Sequence, residues 1–125
     1  MNCLDTSFLI DILRGTDRAT QLLEEMNGRH AVSPISAAEL WIGAHMGSVS
    51  EYHQTEELLQ SLVWLPFDRD VARRTGSIQA RQYDSGNPLP FNDCAIAATA
   101  IEYGHPVVTR DSYFDQIDRL EVITY

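Results

Sequence analysis

The sequence predicts an α/β fold: a three-layer sandwich in which a short, mostly parallel sheet lies between helices. Three observations point there. Short apolar runs ("MNCL", "HAVSP", "VWLPF", "PVVT", "LEVITY") alternate with longer amphipathic segments, the pattern of strands joined by crossover helices. The segment "NDCAIAATAIEYG" is apolar nearly all round, as expected of a helix buried against a sheet. Finally, 125 residues with 44% hydrophobic content suit one domain, residues 1–125, whose core needs no metal or disulfide to hold it.

The elements follow in order. Residues 1–4 read as a buried strand, and Asp5-Thr6-Ser7 open a helix through "FLIDILRG" that Gly15 ends. Asp17 starts a second helix, stopped at Gly28, and "HAVSP" is the second strand. Ser36 begins a helix through "AAELWIGAHMG", and Ser50 another through "YHQTEELLQSL". "VWLPF" is the third strand; Pro66 marks its end because proline has no N–H for the ladder. "DRDVARRTGSIQARQYDSG" is a long amphipathic helix and "NPLPF" a loop. "NDCAIAATAIEYG" is a helix closed by Gly104. "PVVT" is the fourth strand, "RDSYFDQ" follows it, and "LEVITY" is the last strand.

Composition removes several functions. Eighteen acids face nine basic residues, all arginine, for a net charge of −9. Such a charge opposes non-specific nucleic-acid binding and suits a protein that collects cations or meets a basic partner. With no lysine, Schiff-base chemistry is excluded. Cys3 and Cys94 fall in segments that read as buried, which suits free thiols in a reducing compartment. Asp93 beside Cys94 raises the thiol pKa and disfavours a cysteine nucleophile. No run approaches the roughly 18 apolar residues of a membrane span, and "MNCLDTS" lacks a signal peptide's basic region. The expected location is the cytoplasm, away from any membrane.

The acids carry the chemistry. In an open parallel sheet, ligands sit beyond the carboxyl ends of the strands. Asp5 follows the first strand directly, and Asp111 follows "PVVT" after one residue. Glu39 lies in the first turn of the helix after "HAVSP". Asp93 opens a helix that reaches the same rim if it packs antiparallel to the strands, as crossover helices do. Each acid also has a plain reading. Asp5 would cap a helix, Ser36-Ala37-Ala38-Glu39 would form a capping box, Asp93 would answer the helix dipole, and Asp111 would serve a turn. The functional reading predicts all four together. Crowded carboxylates cannot all ionise, and a divalent cation removes the conflict. An all-carboxylate donor set, with His30, His45, His53 and His105 unpaired in spacing, selects Mg²⁺ or Mn²⁺.

In order and spacing, "DTSFLIDILRG", "ISAAELWIGA" and "FNDCAIAATAIEYGHPVVTRDSYF" resemble the PIN domain of VapC-type toxins from bacterial toxin–antitoxin pairs. The resemblance covers essentially the whole chain. It implies a Mg²⁺- or Mn²⁺-dependent endoribonuclease that cuts RNA and is held inactive by a small co-encoded antitoxin. Asp5 matches the family's first metal-binding acid, Glu39 the second acid and Asp93 the third. Asp111 matches a fourth position that carries an acid or a neutral polar residue. Thr6 and Thr109 match hydroxyls beside the site.

The chemistry agrees without the family. Phosphodiester hydrolysis needs an activated water and relief of phosphate charge, and a carboxylate-held divalent ion supplies both. Asp5 and Asp93 are the principal expected ligands, with Glu39 and Asp111 binding directly or through water. Arg14 and Arg110 are candidate phosphate clamps; Arg69, Arg73, Arg74 and Arg81, on the long helix, are either phosphate contacts or a solvated face. A receiver-type phospho-acceptor would need a lysine. A haloacid-dehalogenase-type phosphatase would need an aspartate two residues after Asp5, where Ser7 stands. The remaining rival is a non-catalytic PIN-like interaction module that binds a protein partner. Trp41, Ile42 and Met46 would line either an antitoxin groove, a homodimer face or simply the domain's own packing.

Overall fold

The computed structural model describes all 125 residues. Strands β1 (Asn2–Leu4), β2 (His30–Val32), β3 (Val63–Trp64), β4 (Val107–Thr109) and β5 (Val122–Thr124) form one sheet. Their order is β3-β2-β1-β4-β5, and every neighbouring pair is parallel. The expected sheet was mostly parallel; this one is wholly so.

Six helices connect the strands: α1 (Thr6–Arg14), α2 (Asp17–Glu25), α3 (Pro34–Met46), α4 (Val49–Gln60), α5 (Arg69–Asp84) and α6 (Phe91–Glu102). A 3-10 helix, Ser112–Gln116, precedes β5. Two helix starts differ from the sequence reading. Ser33, not Ser36, caps α3, accepting from the Ile35 N–H at 3.1 Å, and Pro34 supplies the preset φ of a first helical residue. Ser48, not Ser50, caps α4, accepting from the Glu51 N–H at 3.1 Å. The Ser36–Glu39 capping box therefore does not form, and Glu39 is released for other partners.

Alternation along three-residue strands divides the core into two halves. Cys3, Ala31 and Val107 face one side, where Cys94, Ile96, Ala97 and Ala100 of α6 pack with Phe114. Leu4, Val32 and Val108 face the other, against Phe8 and Leu9 of α1, Leu40 of α3 and Leu59 of α4. The small residues of α6 let that helix lie close to the sheet. Phe8 is fully buried, and Phe8→Ala would cost about 3–5 kcal/mol by the usual large-to-small scale.

The strand order places the site. The chain lays down β1, β2 and β3 in one direction, then returns to add β4 and β5 on the other side of β1. The carboxyl ends of β1 and β4 thus flank the point where the winding reverses, the place where open α/β sheets bind ligands.

Candidate active site

Asp5 leaves β1 at this point and caps α1. It is 2% exposed, and its Oδ2 accepts three hydrogen bonds. The Ser7 hydroxyl donates at 2.8 Å, the Thr109 hydroxyl at 2.8 Å and the Ser7 N–H at 3.4 Å. Burial pushes its carboxyl upward, and these hydrogen bonds push back.

Thr109 stands at the end of β4, fully buried. Its hydroxyl oxygen also accepts from the Asp111 N–H at 3.0 Å. Thr109, expected as a hydroxyl beside the site, joins Asp5 to the start of the Asp111 loop. Thr6 is likewise occupied: its hydroxyl donates to Glu39 Oε1 at 2.8 Å. Asn92 donates to Glu39 Oε2 at 2.8 Å, tying α3 to the start of α6. Glu39 is thereby gripped from α1 and from α6 at once.

Asp93 occupies the first turn of α6, whose N-cap, Pro90, offers no side-chain cap bond. Its carboxyl is pushed up to about 6, first by burial, then by the charges of Asp5, Glu39 and Asp111. Those three acids are the ones the sequence singled out, and all three reach Asp93 through space. Hydrogen bonding to Tyr113 works the other way and holds Asp93 down. The Tyr113 phenol is itself raised, by burial and then by Asp93, and it hydrogen-bonds Asp111 as well. Cys94 is fully buried; burial and then the Asp93 charge raise its thiol, so it is no nucleophile.

Arg110 Nη1 donates to Asp11 Oδ1 at 2.8 Å, so this candidate clamp is held against α1. Arg14 lines a cleft of about 310 Å³ between α1, α3 and α4, with Glu39 among the other lining residues. On α5, Arg73 pairs with Asp70 at 3.6 Å, Arg74 with Glu102 at 3.3 Å and Arg81 with Asp118 at 3.4 Å. Those pairings make α5 a mixed-charge solvated face.

No three His, Cys, Asp or Glu side chains are drawn closely enough together to enclose an ion. Mutual repulsion favours such a spread, and Glu39 is held in it by Thr6 and Asn92. In kind, the donor set fits a hard divalent cation: it is all oxygen, and the Ser7 and Thr109 hydrogen bonds to Asp5 fall on Oδ2 rather than Oδ1. Ser7, Asn92 and Tyr113 are the parts that sequence reading missed. Each lies within two residues of an expected acid, and that adjacency was the available signal.

The profile of the PIN domain family matches residues 3–120. The chain is 31% identical over 120 residues to ribonuclease VapC5 of Mycobacterium tuberculosis, covering 92% of this chain and 86% of that protein. It is 30% identical over 113 residues to ribonuclease VapC2 of Haemophilus influenzae, covering 86% and 84%. The crystal structure of DNA-bound VapBC from Salmonella typhimurium matches with a TM-score of 0.85 at 26% identity, covering 99% of this chain and 98% of that one. The fold alone is shared with VapBC2 from Rickettsia felis, at a TM-score of 0.89 and 22% identity, covering 99% and 98%.

Proposed function

The chain belongs to the PIN domain family, and on that premise we propose that it is a metal-dependent endoribonuclease, the toxin of a type II toxin–antitoxin pair. The observation that carries this reading is the repulsion that Asp5, Glu39 and Asp111 exert on Asp93, which a divalent cation would relieve. The VapC ribonuclease relatives and the VapBC complexes support it. The partners follow: an RNA substrate, a small co-encoded antitoxin and a second copy of the chain. Exposed Ile42, Met46 and Val49 offer an apolar face for one of the two proteins. No helix is long and apolar enough to cross a membrane, and buried free Cys3 and Cys94 suit the cytoplasm.

Asp5, Asp93 and Asp111 are the residues to hold Mg²⁺ or Mn²⁺. When bound, the ion makes a water nucleophilic at neutral pH and offsets charge on the phosphate. Ser7 and Thr109 orient Asp5. Glu39, fixed by Thr6 and Asn92, takes the proton of the attacking water as the phosphorus–oxygen bond of the leaving strand breaks.

The test is RNA cleavage by the purified chain with Mn²⁺ and then with excess EDTA. Cleavage that stops in chelator and returns with metal is expected. Undiminished cleavage in chelator would sink the metal mechanism, while no cleavage under either condition would favour the interaction-module reading.

A further inference from the structure

Asp11 is a carboxylate in the middle of α1 that the proposed mechanism does not use. It is 4% exposed. Its Oδ1 accepts from Arg110 at 2.8 Å and its Oδ2 from the Tyr125 hydroxyl at 2.6 Å. A buried carboxylate is costly unless paired and hydrogen-bonded, and here each oxygen has a donor, one of them charged. The Tyr125 ring stands edge-on to Phe8 at 5.1 Å, so its hydroxyl is aimed by packing.

Arg110 links this cluster to the acids, since it lies between Thr109, which holds Asp5, and Asp111. Ser7 sits one turn before Asp11 on the same helix face, and its hydroxyl contacts Asp5 Oδ2 at 2.8 Å and the Arg110 N–H at 3.5 Å. Helix α1 therefore grips the segment after β4 at two levels: through Asp5 and Ser7, and one turn on through Asp11.

We propose that Asp11 is a positioning residue: acting through Arg110, with Tyr125 as second anchor, it fixes residues 109–111 and so the spacing between the Asp5 and Asp111 carboxylates. The inference rests on the metal-site reading above. It also reassigns Arg110 from phosphate clamp to structural tie. A clamp would move KM for RNA and leave metal affinity alone; a tie moves metal affinity.

The experiment compares the native chain with Asp11→Asn, Tyr125→Phe and Val71→Ala, the last a core truncation on α5 that lowers stability without touching the cluster. Mn²⁺ affinity is read from free-ion electron paramagnetic resonance, and Asp111 amide exchange from NMR. Asp11→Asn should weaken Mn²⁺ binding roughly tenfold, the scale for removing a partner that orients a ligand. It should also speed Asp111 exchange. Tyr125→Phe should move both readings the same way by less, and Val71→Ala neither. Should Asp11→Asn fail to fold, Tyr125→Phe carries the comparison. Mn²⁺ affinity and Asp111 exchange no different from those of Val71→Ala would overturn the proposal. A native chain that binds no Mn²⁺ would remove the metal reading, and the exchange measurement would still decide the tie.

Discussion

Asp5 and Asp93 both stand at the start of a helix on the rim of one sheet, and the protein holds them in opposite ways. Asp5 is locked: buried, capping α1, with its hydrogen bonds gathered on one oxygen. Asp93 has no such set of donors. Its helix lacks a side-chain cap, Tyr113 alone counters the upward push, and its carboxyl is pushed up to about 6. The difference separates what a site needs for geometry from what it needs for charge. Asp5 belongs to the scaffold even without a cation. Asp93 opposes the folded state until something positive arrives.

Asparagine substitutions break the comparison most sharply. Asp93→Asn and Asp5→Asn should each lower RNA cleavage by more than about a hundredfold, since a neutral amide replaces an anionic ligand and lost supporting partners alone cost ten- to a hundredfold. In EDTA the two should part. Asp93→Asn removes repulsion and should melt at or above the native temperature. Asp5→Asn should melt at or slightly below it, because asparagine also caps but must keep its carbonyl toward Ser7 and Thr109. Near-native cleavage by Asp93→Asn would mean that helix capping is its whole role.

A smaller effect comes from pH. An acid whose folded pKa is raised takes up a proton on folding, so its contribution favours the native state at low pH and is lost as pH rises through about 6. Metal-free protein should therefore lose this contribution progressively between about pH 4 and 7. Burial lowers His30 and His105, which act with the opposite sign. The difference between native and Asp93→Asn melting temperatures across that range isolates the aspartate. With saturating Mn²⁺ the native dependence should reverse, protons then competing with the ion. A metal-free difference flat from pH 5 to 8 would contradict the assignment.

The smallest expected change is at Tyr113. Tyr113→Phe removes the hydrogen bond that holds Asp93 down, so the acid limb of the cleavage profile should move to higher pH. Mn²⁺ affinity should fall a few-fold, below the roughly tenfold or more lost with stronger outer partners. An unmoved acid limb would show that Tyr113 serves Asp111 alone.

The fold was largely legible in the sequence, because strands this short and apolar leave few other arrangements. All five strands and six helices lie where the alternation placed them, with shifts at their ends. The start of α3 was misread because Ser36 and Glu39 imitate a capping box, whereas Pro34 lets the helix begin at Ser33. Although no three of the acids close around one point, that Asp5, Glu39 and Asp111 lie near enough to act on Asp93 was readable from sheet topology. Their partners were not, because hydrogen bonds such as Asn92 to Glu39 join residues 53 positions apart. Asp11 is the instructive miss. A lone acid inside "FLIDIL" poses the same question as Asp93, namely what pairs with a charge on an apolar face, and its partners proved to be Arg110 and Tyr125.

The strand order has a consequence for how the protein comes into being. The Asp5–Thr109 bond joins residues 104 positions apart, and β1 and β4 must pair to create it. A contact that distant cannot repay its loop-closure entropy early, and parallel pairing across long crossovers folds late. A nascent chain thus carries Asp5 through the synthesis of the next hundred or so residues with no opposite wall to complete the site. Ribosome-arrested chains of increasing length, assayed for Mn²⁺ binding, should show one abrupt step after residues 107–111 emerge. The acids of the proposed metal site are in this way kept from assembling until β4 has been made and paired with β1.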